Sequence, residues 1–457
     1  MGTELSYCGQ VLKMRRVLVV LTILAGWRLS AAARLGGLLT VVWLALVIVA
    51  AGAGAQDAQG FRRFVQDLWP EANARGVSRA TFDKAFAGVE PDFSIPDLVL
   101  PGQVEEKGQA EFTRTPAQYV NATYLAKLAD QGKTLLVKHR DALEKIEREL
   151  GVQRQFVLAI WGRETAFGAH RSPHYAVQVL ATQAYAGRRK DMFRNELIHA
   201  LKLLEDGILT RETMKSSWAG AMGLTQFMPS EYYALAYDLD GDGRKDIWNS
   251  VPDALASAAN QLRYRGWVPG QAWAYEVRLP SDVTCRSEGP PQAKPVRDWM
   301  KLGVTRTSAR PFPTDALDAP AFVLSAGGAY GPAFLALENF MVIKRYNMSD
   351  LYAMFVGNLA DRIAGGGNFD TPWSEVSQLS ARGIEEIQKR LQARGYDIAK
   401  IDGKAGMNTR ALIGAYQQAS RLKVDCWPSE SVLAHLRASA GTEKSDPIPS
   451  KSSLGAR

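Results

Sequence analysis

Residues 157–168 read V-L-A-I-W-G-R-E-T-A-F-G, an apolar run that carries one carboxylate, Glu164. Ile160 and Phe156 stand four and eight residues before it. On a helix the three share one face, so the acid lies along an apolar stripe. A carboxylic acid desolvated in that way holds its proton toward neutral pH, as a general acid for glycosidic oxygen must. Gly162, Ala166 and Gly168 are small enough to let a bulky ligand approach the backbone. The same pattern fits a structural glutamate paired with Arg163 or Arg188, and this stretch alone leaves both readings open.

A chain of 457 residues needs more than one core, and 46% hydrophobic with 22% charged residues is ordinary globular material. The net charge is +8, but the first 55 residues hold five basic side chains against Glu4 and so account for +4 of it. The mild remaining excess is no argument for nucleic acid as a partner. Cys8, Cys285 and Cys426 show no metal-ligand spacing; Cys285 and Cys426 can pair if the chain is exported.

Arg15 and Arg16 precede the apolar run 17–27, and a second run, 38–51, follows Arg34 and ends in A-G-A-G-A. Charge, an apolar segment and small residues make a secretory signal, with cleavage before Gln56 and a periplasmic product. The alternative is an uncleaved inner-membrane anchor. From Gln56 the signals are mostly helical: Leu143, Ile146 and Leu150 recur on one face before Gly151, and Phe193, Leu197, Leu201 and Leu204 on another before Gly207. A third pattern begins at Pro252, and a fourth runs through Leu351, Phe355, Leu359 and Ile363. Between these, 268–335 reads as a small β-containing region, with Trp273 to Leu279 alternating as a strand does. Residues 366–380 read as a linker, 381–440 as a compact helical unit and 441–457 as a disordered tail.

Two further segments carry chemistry. S-W-A-G-A-M-G-L-T-Q-F-M-P-S at 217–230 leaves backbone with little side-chain cover, a surface able to hydrogen-bond a sugar's amide, and Gln226 adds donor and acceptor. D-L-D-G-D-G-R at 238–244 matches the first half of a calcium loop. Its twelfth position is Asn249 rather than a bidentate Glu, and Asp253, four residues on, closes the site if the loop is longer.

Taken together these motifs resemble the lytic murein transglycosylase B family over about residues 60–365. The likeness rests on W-G-R-E-T-x-F-G, G-A-M-G-L-T-Q-F-M-P-S, the acidic loop followed by Trp248, and N-F-x-x-I-K-R-Y-N from Asn339 to Asn347. Residues 376–437 are similar to the peptidoglycan-binding type one module, through I-x-x-I-Q-x-x-L-x-x-x-G-Y and I-D-G-K-x-G-x-x-T-R-A-L. Met407 stands where that module usually has Pro, and Cys426 where Gly is common.

The resemblance implies a mainly α (α+β) fold: a lysozyme-like catalytic domain at 56–365 with a small β-containing subdomain, then a three-helix wall-binding module. It implies cleavage of the β-1,4 bond between N-acetylmuramic acid and N-acetylglucosamine without water, with Glu164 as lone acid/base and a 1,6-anhydromuramyl product. Most glycosidases need a second carboxylate; a substrate whose N-acetyl group attacks the anomeric carbon does not. Ser217 and Gln226 become substrate contacts, as do Tyr119, Tyr346 and Asn339. Asp238, Asp240, Asp242 and Asp253 become ligands of a structural Ca2+, while the chemistry itself requires no cofactor. The partners implied are glycan strands and cell-wall synthesis or division proteins. A lysozyme-like hydrolase and a non-catalytic wall-binding scaffold are the competing readings.

Overall fold

A computed structural model describes residues 59–99, 114–307 and 310–439. The segments read as export signal (1–55) and tail (441–457) lie outside the described residues. Residues 59–68 are helical and belong to an N-terminal compact unit, and the chain from Trp69 onward forms a second, which holds all the elements named next.

Helix α1 (Ala122–Lys138) is capped by the Asn121 side chain, which accepts from the Tyr124 amide. Helix α2 (Arg140–Leu150) buries Leu143, Ile146 and Leu150 on the one face that their spacing predicts, and Gly151 ends it at φ 71°. Helix α3 (Arg154–Thr165) departs from the single-stripe expectation. Every residue from Phe156 to Gly162 is buried, because α1 packs on one side and two later helices, Val251–Tyr264 and Asp350–Ile363, on others. A helix apolar all round its middle belongs in a core, and only its two ends, with Arg154 and Gln155 in the first turn and Arg163 and Glu164 in the last, reach partial exposure.

Helices α4 (Ala176–Ala186) and α5 (Lys190–Glu205) form an adjoining pair, followed by the short α6 (Pro229–Leu235) and by α7 (Val251–Tyr264). A five-stranded sheet then interrupts the helices: β1 (Ala274–Arg278), β2 (Lys294–Pro295), β3 (Thr305–Arg306), β4 (Pro320–Leu324) and β5 (Ala333–Ala336). The strands are ordered β2-β4-β5-β1-β3 and every pairing is antiparallel. The region read as small and β-containing is this sheet, with Val277, Trp299, Val323 and Leu335 in one cluster beside it. Helices α8 (Glu338–Asn347) and α9 (Asp350–Ile363) return the chain to the helical core.

The module comprises α10 (Ala381–Gln392), α11 (Met407–Ala419) and α12 (Glu430–Ala438) around Ile387, Leu391, Ile413, Tyr416 and Leu436. Buried Gln388 fixes its first loop, accepting at 2.9 Å from the amides of both Asp402 and Gly403.

This module is docked. A disulfide joins Cys285, near the sheet, to Cys426, closing a loop across a separation of 141 residues. On the loop-entropy model such a bridge stabilises the fold by about 4–5 kcal/mol. Beside it, Arg410 of α11 donates to Glu288 at 3.0 and 2.6 Å and to Asp350 at 3.1 Å, with all three side chains nearly inaccessible. Lys344 completes the network, 2.7 Å from Asp350. The 366–380 stretch, low in apolar residues, is held by polar bonds instead. The amides of Asp370 and Thr371 donate to Glu276 at 2.8 and 2.7 Å, and that of Ser374 to the Tyr330 carbonyl at 2.9 Å. Trp373 rests against Gly331, where a Cβ would have no room.

Arg410→Met leaves two buried carboxylates short of their cation. It lowers unfolding stability in urea by about 3–5 kcal/mol, and a loss below about 1 kcal/mol would contradict the docking described.

Candidate active site

The site begins where α3 stops. Ala166, Phe167 and Gly168 have φ of 47°, 58° and 82°, so the chain reverses through three left-handed residues directly after Glu164 and Thr165. Phe167 folds back with its ring edge-on to Trp161, centroids 5.5 Å apart, and covers Gly162. A Cβ on Gly162 would lie 2.7 Å from the Phe167 ring and 3.2 Å from Leu359, so the close approach needs glycine there. Thr165 Oγ1 donates to the Leu224 carbonyl at 2.7 Å and accepts from the Gly168 amide at 3.1 Å, which ties the end of α3 to the 217–230 segment.

Glu164 Oε1 accepts a 2.5 Å hydrogen bond from the hydroxyl of Tyr352, a fully buried residue of α9. Tyr352 stacks on Tyr346 of α8 at 6.2 Å and 12° between planes, and the Tyr346 hydroxyl donates to the Thr225 carbonyl at 2.7 Å. Burial first, then the charge of Glu164, pushes both hydroxyls well above the ordinary tyrosine range, so both remain donors. Arg163 donates to the Tyr119 hydroxyl at 2.5 Å and lies 5.3 to 5.6 Å from the centres of the Tyr119, Phe355 and Tyr352 rings. Arg188, the other cation considered as a partner, is 3.5 Å from Asp97.

In the 217–230 segment Met222 and Phe227 exchange backbone hydrogen bonds at 2.8 Å, pinching off a tight loop. Gln226 sits in it at φ 58°, and its Nε2 donates to the Gly223 carbonyl at 3.0 Å. Ser217 closes the preceding turn, its Oγ accepting from the Ala221 amide at 3.2 Å. A hydrogen bond thus joins Glu164 to Tyr352, a ring stack joins Tyr352 to Tyr346, and a second hydrogen bond joins Tyr346 to the backbone beside Gln226, while Tyr119 bonds Arg163. Asn339 lies apart from them in these bonds. It is buried, with Nδ2 donating to the carbonyls of Val268 and Gln271 at 2.9 Å and Oδ1 accepting from the Val268 amide at 2.8 Å.

Tyr352 escaped sequence reasoning, although it stands three residues before Phe355 on a helix whose apolar stripe is plain. A second carboxylate near Tyr346, Glu231, is already engaged. Its oxygens accept from Gln261, Arg265 and the Met228 amide at 2.6, 2.6 and 3.1 Å.

In the acidic loop, carboxylate oxygens of Asp238, Asp240 and Asp253 lie within 4.8 Å of one another. Asp242 falls outside this trio, its carboxylate accepting from the Arg244 amide at 2.8 Å. Asp253, on α7 and 1% exposed, accepts from the amides of Leu239 and Asp246 at 2.9 and 3.0 Å. Burial leads in raising its carboxyl above the ordinary aspartate value, and the like charges of Asp240 and Asp238 add to it. Clustered hard oxygen donors under mutual repulsion fit a divalent cation of the calcium type.

A helical domain that presents one carboxylate beside paired tyrosines, with a small sheet and a helical module at its side, has a lysozyme-like architecture. Residues 60–361 match the transglycosylase SLT domain, and residues 380–436 the putative peptidoglycan binding domain. The crystal structure of SltB3 from Pseudomonas aeruginosa in complex with NAG-anhNAM-pentapeptide is 39% identical, with a TM-score of 0.75, over 82% of this chain and 99% of that one. Escherichia coli Slt35 in complex with calcium is 25% identical with a TM-score of 0.55, over 67% of this chain and 93% of that one. Membrane-bound lytic murein transglycosylase B of Escherichia coli K12 is 32% identical over 233 residues, which are 50% of this chain and 61% of that relative's length. The chain belongs to the transglycosylase SLT domain family, a family of enzymes.

Gly162→Ala forces Phe167 off its seat. The variant loses about 1–3 kcal/mol of stability by overpacking, read as a lower thermal midpoint. An unchanged midpoint would mean that Phe167 does not close the end of α3.

Proposed function

We propose that the protein is a periplasmic lytic transglycosylase that cleaves the β-1,4 bond between N-acetylmuramic acid and N-acetylglucosamine in peptidoglycan. The observation that carries this reading is the single carboxylate, Glu164, held by Tyr352 at the end of a buried helix while Glu231 is taken up elsewhere. Glu164 gives its proton to the glycosidic oxygen as that bond breaks. The N-acetyl group of the muramic acid attacks the anomeric carbon and takes the place of a second carboxylate. The ionised Glu164 then accepts the proton of the C6 hydroxyl, whose oxygen closes the 1,6-anhydro ring and restores the free N-acetyl group. Tyr352 positions the carboxylate and supports its charge between the two steps.

Gln226, Ser217 and the backbone of their loop hydrogen-bond the sugars, and Tyr119 and Tyr346 frame the cleft. Asn339 acts through the 268–271 backbone it clamps. The pentapeptide-bearing sugars bound by SltB3 support a peptide-bearing glycan as substrate. Export places the enzyme with that polymer; among the described residues no helix is long and apolar enough to cross a membrane.

On purified peptidoglycan, Glu164→Gln lowers turnover by about 10²–10⁴-fold, the usual share of a general acid–base. Tyr352→Phe lowers kcat roughly 10- to 100-fold with little change in KM, since it removes one hydrogen bond to a charged group. Wall-lytic activity equal to wild type in Glu164→Gln would instead favour a binding scaffold.

Asp238, Asp240 and Asp253 would hold a structural Ca2+, whose charge relieves their repulsion and ties the 238–246 loop to α7; Slt35 binds calcium. Saturating Ca2+ raises the thermal midpoint of the wild type, by about 2.7 kcal/mol of stability at a hundredfold excess over Kd. Asp253→Asn removes that shift, and a Ca2+ response surviving in this variant would refute the assignment.

A further inference from the structure

The guanidinium of Arg163 lies among three aromatic rings, 5.3, 5.6 and 5.4 Å from the centres of Tyr119, Tyr352 and Phe355. All three ring residues are buried, and the most exposed of them, Tyr119, is at 6%. Ring faces attract a cation but carry no net charge of their own. Nη2 also donates to the Tyr119 hydroxyl at 2.5 Å. A guanidinium has donors only, so that oxygen accepts and its own proton points away from Arg163.

The carboxylate that acts on this cation is that of Glu164, the next residue in the chain. Burial opposes the charge of Arg163, yet the Tyr119 oxygen and then Glu164 outweigh it and hold the guanidinium above the ordinary arginine value. The coupling is reciprocal: what Glu164 does for the charge on Arg163, Arg163 does for the ionised form of Glu164. Tyr352 reaches both, its ring near the guanidinium and its hydroxyl on Glu164 Oε1. Among buried rings such a coupling is stronger than between exposed charges.

Other charged and titratable groups on the elements packed against α3 are engaged, neutral or remote. At the first turn of α3, Arg154 pairs with Glu144 and Glu147 of α2. On α1, Asp130 and Lys133 pair in solvent. Where α1 ends, His139 stands edge-on to Trp161, and burial, then the charge of Lys138, holds it below the ordinary histidine value. Asp253 of α7 belongs to the acidic loop, and Arg265, just beyond α7 and over the Tyr346 ring, is bound to Glu231. On α9, Asp350 is paired with Arg410 and Lys344, while Asp361 and Arg362 are at the far end of the helix from Tyr352. Arg163 is the cation that the fold brings to the acid.

We propose that Arg163 is a positioning residue for the reaction at Glu164: its fixed positive charge favours the carboxylate over the acid and so eases the proton onto the glycosidic oxygen. The inference rests on the reaction proposed above and adds the group that offsets burial. Apolar surroundings alone make a carboxyl a reluctant donor, and a neighbouring cation restores its acidity while Tyr352 holds its place. A guanidinium suits the task because it stays charged throughout the working pH range.

The test is the pH dependence of kcat on purified glycan strands, with the full chain as wild type, Arg163→Met and Arg163→Lys. Glu164 begins the reaction protonated, so kcat falls as pH rises through its pKa. Removing a nearby cation raises that pKa, and in Arg163→Met the falling limb moves to higher pH by about one pH unit or more. Methionine fills the space among the rings without charge. Arg163→Lys keeps the charge, and its limb stays at the wild-type position. A limb that does not move in Arg163→Met overturns the proposal. Equal displacement in Arg163→Met and Arg163→Lys overturns it as well, because it assigns the residue to packing. If Arg163→Met does not fold, Arg163→Gln is measured in its place, and loss of the folded state in both assigns the cation to stability and overturns the proposal. Glu164→Gln with the kcat and the limb of the wild type overturns the reaction itself, and this inference with it.

Discussion

The hydrogen bond from Tyr352 to Glu164 is the interaction around which the domain is built. It brings the last turn of α3 against the first turn of α9, two helices otherwise buried almost throughout. A carboxylate on a core helix is expensive unless its partners stand ready. Tyr352 supplies one, and the Tyr346 stack beneath it fixes that hydroxyl by bonding the backbone at Thr225. The strained turn after Thr165 and the glycine that admits Phe167 then bring the chain to the 217–230 loop.

The second constraint is the contact between the module and the catalytic domain. A three-helix unit of this size folds marginally alone. Here it shares a disulfide and a four-membered buried ion network with its neighbour. Buried ion pairs add little net stability but specify geometry when every partner is present. Asp350, where α9 begins, receives Arg410 from the module, so the helix that carries Tyr352 is also a docking element.

Much of this was legible in the sequence. Helices α2, α5 and α9 followed their apolar spacing, and the two segments rich in small residues, 157–168 and 217–230, meet in the fold where Thr165 bonds the Leu224 carbonyl. The enclosure of α3 was not legible, since a continuous apolar run does not say how many sides are covered. Tyr352 was hidden among residues that a helical pattern assigns to packing. The hydrogen bonds that hold the 366–380 stretch, read as a linker, were not legible, because Glu276 and Tyr330, which supply them, are remote in sequence. The Arg410 network could not be seen either, because pairing across a separation of 122 residues leaves no local periodicity. In the acidic loop, spacing led to Asp238, Asp240 and Asp242, and Asp253 entered as the closure of a longer loop; carboxylate oxygens of Asp238, Asp240 and Asp253 lie within 4.8 Å of one another, with Asp242 outside that group.

If Glu164 works alone in the proposed reaction, no water enters the product. Digestion of peptidoglycan in water enriched in heavy oxygen, followed by mass spectrometry of the soluble fragments, measures this directly. An intramolecular closure gives anhydro ends without label. Heavy oxygen at free reducing ends would contradict it, and would mean that a hydrolytic water and a base to activate it operate beside Glu164.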